Sequence, residues 1–203
     1  LLRQGAKRLV CVGNTTGGPR KPRNPDIGML VENGQVAKVI CSFTAAPRAS
    51  DVLPFTPYYE RGEVDAETVP QGTLAERLRA AGAGIPAFYT PTAVGTELAE
   101  GRETRFINGR EYLLEYALPC DVALLRCWKA DEAGNLRFRR AQRNFGPIMA
   151  MASKLVIVEV EEPILPAGAI DPDDVHVPGI IVQRLVHIPP APDAIWPTLK
   201  ETR

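Results

Sequence analysis

Two glycine-containing turns have the composition expected where a protein holds an oxygen atom or an anion of a ligand. Residues 13–18 read Gly-Asn-Thr-Thr-Gly-Gly and follow an apolar run that predicts a buried strand. Open α/β sheets bind ligands at the carboxyl ends of their strands. The second turn, Gln71 and Gly72, stands just before a predicted helix, whose free N–H groups can donate to an anion or a carbonyl oxygen. The first turn is neither a GxGxxG nor a Walker sequence, and a plain surface turn explains it equally well.

A third candidate is the segment of residues 81–92, which begins with small residues after the predicted helix. Small residues let a ligand or another chain approach the backbone closely. Within this segment we select Gly84, Phe88 and Thr90 as substrate-binding candidates, together with Gly13 and Gly72 from the two turns. Tight packing of the helix against the next strand explains the small residues equally well.

Glu32 is the one carboxylate that directly precedes an Asn-Gly pair. A carboxylate on such a turn can act as a nucleophile. The other interpretation, which we prefer, is the end of a helix with a solvated glutamate, because Asn-Gly is a typical helix stop.

Four arginines form a basic cluster: Arg137, Arg139, Arg140 and Arg143. Guanidinium groups bind phosphates well, so the cluster is a candidate phosphate site. Arg137 and Arg139 share one face of a predicted strand, and a solvated or salt-bridged strand face is an equally good explanation.

The cysteines and histidines argue against several other chemistries. No CxxC pair occurs, and the cysteines fit buried small hydrophobes in a reducing compartment. The histidines lack neighbours at zinc-site spacing, so we expect no metal. No GxSxG turn exists for a serine nucleophile. The residues concerned are Cys11, Cys41, Cys120, Cys127, His176 and His187.

The overall composition sets the class of protein. The chain has 203 residues, of which 45% are hydrophobic, with 24 Lys+Arg against 24 Asp+Glu. This supports a folded core and argues against a nucleic-acid partner, which normally requires a basic surplus. No apolar run is long enough to cross a membrane, and no signal peptide is present, so we expect a cytoplasmic protein without membrane contact. We predict one domain over residues 1–188 and a proline-rich tail over 189–203.

The predicted elements place the candidates on an α/β framework. Asn108-Gly109 predicts a β-hairpin, and Thr73 with Glu76 predicts a capping box for a helix that Gly82 ends. Residues 44–58 contain three prolines and are expected to be irregular. Apolar strands alternating with helices and loops indicate a largely parallel or mixed sheet. Strands are expected over 8–13, 36–43, 63–69, 121–130, 154–160 and 180–187. Helices are expected over 27–32, over 147–152, and within 70–82 from the cap at Thr73 on.

Three long segments together resemble one family. They are residues 70–92 (PQGTLAERLRAAGAGIPAFYTPT), 128–136 (WKADEAGNL) and 143–152 (RNFGPIMAMA). They resemble the alpha, or A-type, subunits of the 3-oxoacid and 3-oxoadipate coenzyme A-transferases. The resemblance extends from Leu1 to about Leu185.

The resemblance implies a fold, a reaction and a partner. The fold is an open, largely parallel sheet flanked by helices. The reaction moves CoA from succinyl-CoA to acetoacetate or 3-oxoadipate by a ping-pong route, with coenzyme A as substrate and no cofactor. The nucleophilic glutamate belongs to a beta, or B-type, subunit, and the assembly is expected to be α2β2. On this chain, Asn14 and Gln71 correspond to the residues that position or stabilise the reacting carboxylate.

The sequence also departs from the family. Relatives commonly read Asn-Asn-Ala-Gly where residues 14–17 read Asn-Thr-Thr-Gly. Relatives also begin with a strand, loop and helix, and from the resemblance we expect this sequence, from Leu1 on, to lack that first strand of the sheet. The segment of residues 19–25 is unusually basic, so Arg20, Lys21 and Arg23 are candidates for recognising a second substrate carboxylate. Two other functions remain open: a stand-alone acyl-CoA hydrolase using Glu32, and a non-catalytic metabolite-sensing module.

Overall fold

A computed structural model describes residues 1–18, 26–46, 48 and 50–188. The described residues form two compact units, the first Leu1–Leu74 and the second from Ala75 onward. Across these residues, no helix is long and apolar enough to cross a membrane. Arg20, Lys21, Arg23 and the tail 189–203 lie outside the described residues. The single domain over 1–188 therefore stays a prediction beside this division into units.

The first unit contains a parallel sheet whose strands all run toward the candidate turns. Its three strands have the order β1-β2-β3, and both pairings are parallel. Buried valines of β2 and α1, such as Val39 and Val31, pack with Phe55 to form the core. The elements are β1 (Leu9–Val12), α1 (Ile27–Glu32), β2 (Val36–Cys41), α2 (Thr56–Glu60) and β3 (Asp65–Thr68).

Helix α2 occupies a segment whose three prolines predicted an irregular structure. Pro57 stands in the first turn of this helix, where a missing backbone N–H costs nothing. The Tyr58 hydroxyl donates to the carbonyl oxygen of Glu32 over 3.1 Å and ties α2 to the end of α1. The described residues between Cys41 and Thr56 are irregular as expected, and the expectation was wrong only from Thr56 on, because proline is tolerated in the first turn of a helix.

The chain passes from the first unit to the second through α3 (Gln71–Gly82). This helix begins two residues before Thr73, and the Leu74 N–H donates to the carbonyl of Pro70 over 2.9 Å. The predicted capping box is therefore wrong, since Thr73 is buried within the helix and Glu76 binds Arg79 instead. The helix ends in a Schellman motif, in which Ile85 N–H donates to the carbonyl of Ala80 over 2.9 Å.

The residue that turns the chain after α3 is Gly84 rather than the predicted Gly82. Gly84 has φ of +70°, the left-handed conformation that favours glycine. Gly82 is needed for packing, because a Cβ there would lie 2.5 Å from the Cβ of Met151. The helix end therefore accounts for Gly84, and packing against Met151 accounts for Gly82.

The second unit contains one parallel sheet and two antiparallel ones. The parallel sheet has the order β11-β10-β7, and its inner face buries Val156, Val158 and Ala123. The antiparallel sheets are β4-β6-β5 and β8-β9. The elements are β4 (Ala87–Thr90), β5 (Thr104–Ile107), β6 (Arg110–Tyr116), β7 (Cys120–Cys127), β8 (Lys129–Ala130), β9 (Leu136–Arg137), α4 (Gly146–Met151), β10 (Ser153–Val160) and β11 (Arg184–His187).

The structure confirms the α/β class and most of the predicted elements. The hairpin forms as expected, with Asn108 at φ of +50° and Gly109 at +79°, as a type I′ turn requires. The parallel pairing is divided between two three-stranded sheets. The last strand begins four residues later than expected, because residues Gly179–Ile181 form a 3-10 turn.

Candidate functional site

Asn14 and Gln71 lie in contact in the first unit, although 57 positions separate them in the sequence. The Gln71 Nε2 donates a hydrogen bond of 2.8 Å to the Oδ1 of Asn14. This fixes the orientation of the Asn14 amide, because its oxygen faces Gln71. The Nδ2 of Asn14 and the second N–H of Gln71 then remain as neutral donors for a ligand oxygen.

The backbone holds Asn14 rigidly at the carboxyl end of β1. Gly13 N–H donates to the carbonyl of Ile40 over 3.1 Å, which continues the ladder beyond the strand. The carbonyl of Asn14 accepts from the N–H groups of Ser42 and Phe43 over 3.2 and 3.1 Å. The loop after β1 is thus bonded to the loop after β2, and the position of Asn14 follows from the parallel pairing.

Gln71 takes its position from the first turn of α3. The N–H of Val69 donates to the carbonyl of Cys41 over 2.9 Å, so the chain leaves β3 beside β2. Thr73 and Leu74 are buried and anchor the helix, while Gln71 is exposed. The helix N-terminus adds free N–H groups and a partial positive charge near this side chain.

The two glycines beside these amides have different surroundings. A Cβ on Gly72 would meet no atom within 4 Å, so the space beside this residue is open. Gly13 is buried, and a Cβ there would lie 3.1 Å from the Cδ1 of Ile27. Packing against α1 therefore accounts for Gly13, and its substrate contact stays a prediction.

Asp26 organises the glycine loop, although it was not among the residues selected from the sequence. Its carboxylate accepts from the N–H of Gly18 over 2.6 Å and from the N–H of Gly28 over 2.9 Å. Gly17 has φ of +116°, and a Cβ there would lie 2.9 Å from the nitrogen of Gly28. An Asp directly before a helix is a typical N-cap, which is the signal that could have identified Asp26.

Two hydroxyl groups of the same loops stand out by lacking partners. The Oγ of Ser42 and the Oγ1 of Thr16 are buried and form no hydrogen bond with any described residue. Thr16 follows β1 and Ser42 follows β2, so both belong to the loops that fix Asn14.

Gly84, Phe88 and Thr90 belong to the second unit and have local contacts of their own. Phe88 and Thr90 are half-buried residues of β4, paired with Glu115 and Leu113 of β6. The Thr90 hydroxyl oxygen accepts from the N–H of Thr92 over 3.2 Å. These contacts explain the residues as parts of the fold, and their role in substrate binding stays a prediction.

Glu32 ends helix α1, as the preferred interpretation expected. Gly34 has φ of +62°, and the N–H of Gln35 donates to the carbonyl of Leu30 over 3.0 Å, which is a Schellman motif. The Glu-Asn-Gly sequence therefore forms a helix stop.

The cysteines are free thiols with little tendency to ionise. Burial raises the pKa of Cys11, Cys41 and Cys120, and it raises the pKa of Cys127 to about 12. A thiol is a nucleophile and a metal ligand only as a thiolate, so burial disfavours both roles for these cysteines. Within the described ranges, no group of three acidic, histidine or cysteine side chains could hold a metal ion.

Asp131 holds the turn within the segment 128–136 together. Its buried carboxylate accepts from the backbone N–H and the Nδ2 of Asn135 over 2.9 and 3.0 Å, and from the N–H of Gly168 over 3.1 Å. Desolvation acts to raise the pKa of Asp131, but these hydrogen bonds outweigh it and lower the pKa below its usual value. Asn135 Oδ1 in turn accepts from the N–H of Gly179 over 2.9 Å.

Known proteins share both the sequence and the fold of this chain. A family model described as coenzyme A transferase matches residues 1–187. The A-type subunit of the 3-oxoadipate CoA-transferase from Pseudomonas putida is 48% identical over 190 residues, which cover 93% of this chain and 78% of that protein. The A-type subunit of the succinyl-CoA:3-ketoacid coenzyme A transferase from Helicobacter pylori is 45% identical over 185 residues, covering 91% and 75%.

A solved structure agrees with the fold. The glutaconate coenzyme A-transferase of Acidaminococcus fermentans superposes with a TM-score of 0.74 over 93% of this chain and 64% of that chain, at 24% identity. At this identity the likeness concerns the fold alone, and it confirms the predicted α/β fold.

Proposed function

Because the chain belongs to the coenzyme A transferase family, we propose that it is the alpha subunit of an enzyme that transfers CoA from succinyl-CoA to a 3-oxo acid. The acceptor is acetoacetate or 3-oxoadipate. Two relatives at 48% and 45% identity are A-type subunits that bear these activities in their names, which supports both the reaction and the place of this chain in the enzyme.

The proposed reaction is ping-pong and passes through a covalent intermediate. An enzyme glutamate attacks the succinyl-CoA carbonyl, forming an acyl anhydride and releasing the CoA thiolate. The thiolate then attacks the glutamyl carbonyl of the anhydride, which gives a glutamyl-CoA thioester and free succinate. The acceptor carboxylate repeats the two steps in reverse, so that acyl-CoA leaves and the glutamate is regenerated.

Each addition step places negative charge on a carbonyl oxygen, and this chain supplies donors for it. The observation that carries the proposal is the 2.8 Å bond between Gln71 and Asn14 at the carboxyl ends of the strands. Amide N–H groups do not titrate, so they remain donors throughout the cycle. Donors that are already oriented stabilise an oxyanion without reorganising during the reaction.

The nucleophile is proposed to come from a partner beta subunit. Both relatives are named as A-type subunits, which implies a B-type partner, and we keep α2β2 as the proposed stoichiometry. The place of Glu32 in the helix stop of α1 supports excluding it as the nucleophile. A hydrolase that uses Glu32 predicts acyl-CoA hydrolysis by this chain alone, and Glu32→Gln would abolish it.

The test is reconstitution with the beta subunit of a related enzyme. We expect CoA transfer from succinyl-CoA, measured separately with acetoacetate and with 3-oxoadipate as acceptors. The better acceptor identifies the acid, and Arg20→Ala, Lys21→Ala and Arg23→Ala should selectively weaken 3-oxoadipate if those cations bind its second carboxylate. A purified complex that transfers CoA to neither acid would contradict the proposal.

A further inference from the structure

Trp128 lies at the centre of a group of cations in the second unit. Lys129 Nζ is 4.4 Å from the centre of the Trp128 ring, and the guanidinium carbons of Arg137 and Arg139 are 5.6 and 5.7 Å from it. Arg140 and Arg143 follow in the 3-10 turn Arg140–Arg143. We propose that this Trp128 cluster, consisting of Trp128, Lys129, Arg137, Arg139, Arg140 and Arg143, binds a phosphate-bearing anion.

The register of the two-stranded sheet places two cations of the cluster opposite each other. Lys129 and Arg137 are direct partners on neighbouring antiparallel strands. Like charges in such positions destabilise a sheet, whereas opposite charges stabilise it. Asp174, which pairs with Arg137, offsets part of this repulsion, and an anion held beside Lys129 would offset the rest.

Only some of the cluster cations have a carboxylate partner, although Glu162 also lies at the cluster and accepts from the Nε1 of Trp128 over 3.4 Å. Arg137 pairs with Asp174 over 2.9 Å and Arg139 with Glu161 over 3.0 Å, so the salt-bridged interpretation holds for these two arginines. Glu161 is shared, since it also accepts from Arg126 over 3.0 Å. In the described part of the chain, the remaining cluster cations Lys129, Arg140 and Arg143 form no salt bridge.

His176 lies close enough to the cluster for its pKa to be affected by two of the arginines. Its Nδ1 accepts from the N–H of Phe138 over 3.0 Å, and its ring stacks on the Phe138 ring with an interplanar angle of 11°. Desolvation, followed by the charges of Arg143 and Arg137, lowers the pKa of His176, while Asp174 opposes this. The cluster cations therefore disfavour a further positive charge on this imidazole.

The chemistry of these side chains selects phosphate. Guanidinium groups bind phosphate oxygens in pairs of parallel hydrogen bonds, and lysine adds a point charge. Three cations without carboxylate partners among the described residues suit a multiply charged anion better than a monocarboxylate. Coenzyme A carries such phosphates, and so do free phosphorylated metabolites; the shared feature is the phosphate group.

The experiment uses tryptophan fluorescence on the full chain. The sequence has two tryptophans, so Trp196→Phe leaves Trp128 as the reporter. We expect inorganic pyrophosphate to change its fluorescence saturably at low ionic strength. In the same background, Lys129→Gln, Arg140→Gln and Arg143→Gln together should raise the dissociation constant at least 10-fold, because three ligand cations are lost.

A control with the same charge change is available elsewhere in the second unit. The exposed side chains of Arg105, Arg110 and Lys154 lie outside the Trp128 cluster. Their combined Gln variant should leave the dissociation constant within about twofold of the parent, since binding depends on cations close to the anion. Equal weakening in both triple variants, or no saturable response of the Trp196→Phe protein to millimolar pyrophosphate, would overturn the proposal.

Two further measurements keep the result interpretable. Arg143→Gln alone, at an exposed position, should weaken pyrophosphate binding and keep the parent circular dichroism spectrum, so misfolding cannot imitate the effect. Titration with coenzyme A and dephospho-CoA then distinguishes the sources of the phosphate. A preference for coenzyme A of 10-fold or more points to its 3′-phosphate, and equal binding points to a phosphate shared with other metabolites. Because no turnover is measured, the result is independent of the CoA-transfer assay.

Discussion

Replacing Gln71 by alanine tests whether the amide pair acts in catalysis or only in folding. The bond to Asn14 joins two neutral groups, and Gln71 is exposed. Such a bond contributes about 1 kcal/mol or less to stability, because water replaces it on unfolding. Loss of an oriented donor to a reacting oxygen, here the Asn14 amide that Gln71 holds, in contrast lowers kcat by about 100-fold or more. Activity and stability should therefore respond very differently.

The double variant sharpens this prediction. If Gln71 acts mainly by holding the Asn14 amide with its nitrogen toward the ligand, removing both side chains should cost little more than removing Asn14 alone. We expect kcat of Asn14→Ala with Gln71→Ala to lie within about threefold of Asn14→Ala, since residues that act as one unit are not additive. Two independent donors would instead multiply their losses.

The assay is CoA transfer from succinyl-CoA in the reconstituted complex, with urea unfolding measured on the same proteins. Gln4→Ala is the matched control, because Gln4 is also an exposed glutamine of the first unit. It should leave both kcat and stability unchanged. A Gln71→Ala enzyme with parental kcat, or one whose loss of rate equals its loss of folded protein, would refute the catalytic role.

Three other predictions concern the framework. Gly17→Ala should lower the unfolding free energy by about 2 kcal/mol or more in urea titrations, because Gly17 has φ of +116° and a Cβ there would lie 2.9 Å from the nitrogen of Gly28. Gly34→Ala is the control, since Gly34 has φ of +62° with open space around it, and should cost only about 1 kcal/mol. Equal losses in the two variants would contradict the role of packing at Gly17. Because folding lowers the pKa of Asp131, its carboxylate stabilises the folded state above its unfolded pKa of about 3.9, and this stability is lost as the pH falls through the lower folded pKa. In urea titrations, the unfolding free energy of Asp131→Asn should therefore fall less steeply at acid pH than that of the parent. Burial raises the pKa of Cys127 to about 12, so its thiol should resist alkylation by iodoacetamide at pH 8 in the native protein and react in urea. Rapid alkylation of Cys127 in the native protein would show instead that the thiol is accessible and ionised.

Local sequence signals predicted those elements whose ends are set by their own residues. The Asn108-Gly109 hairpin formed because both residues tolerate positive φ. Helix α1 ended at Asn33-Gly34 because Gly34 adopts positive φ, while Asn33 has φ of −88°. The capping box failed because Thr73 is buried, so tertiary packing decided where α3 begins. Helix α2 was missed because proline is a typical helix breaker, whereas Pro57 stands in the first turn, where proline is tolerated.

The candidate site shows where sequence reasoning stopped. Each of Asn14 and Gln71 could be placed on a turn after a strand, but the spacing of 57 positions carries no information about their distance. The strand order β1-β2-β3 supplies it: β1 and β3 flank β2, so their ends lie about 10 Å apart at the usual strand spacing. One asparagine and one glutamine side chain together bridge that gap. A shorter pair such as Asn14 with Gln71→Asn should therefore lose the bond, so we expect kcat of the reconstituted complex to depend on side-chain length at residue 71 as well as on its amide chemistry.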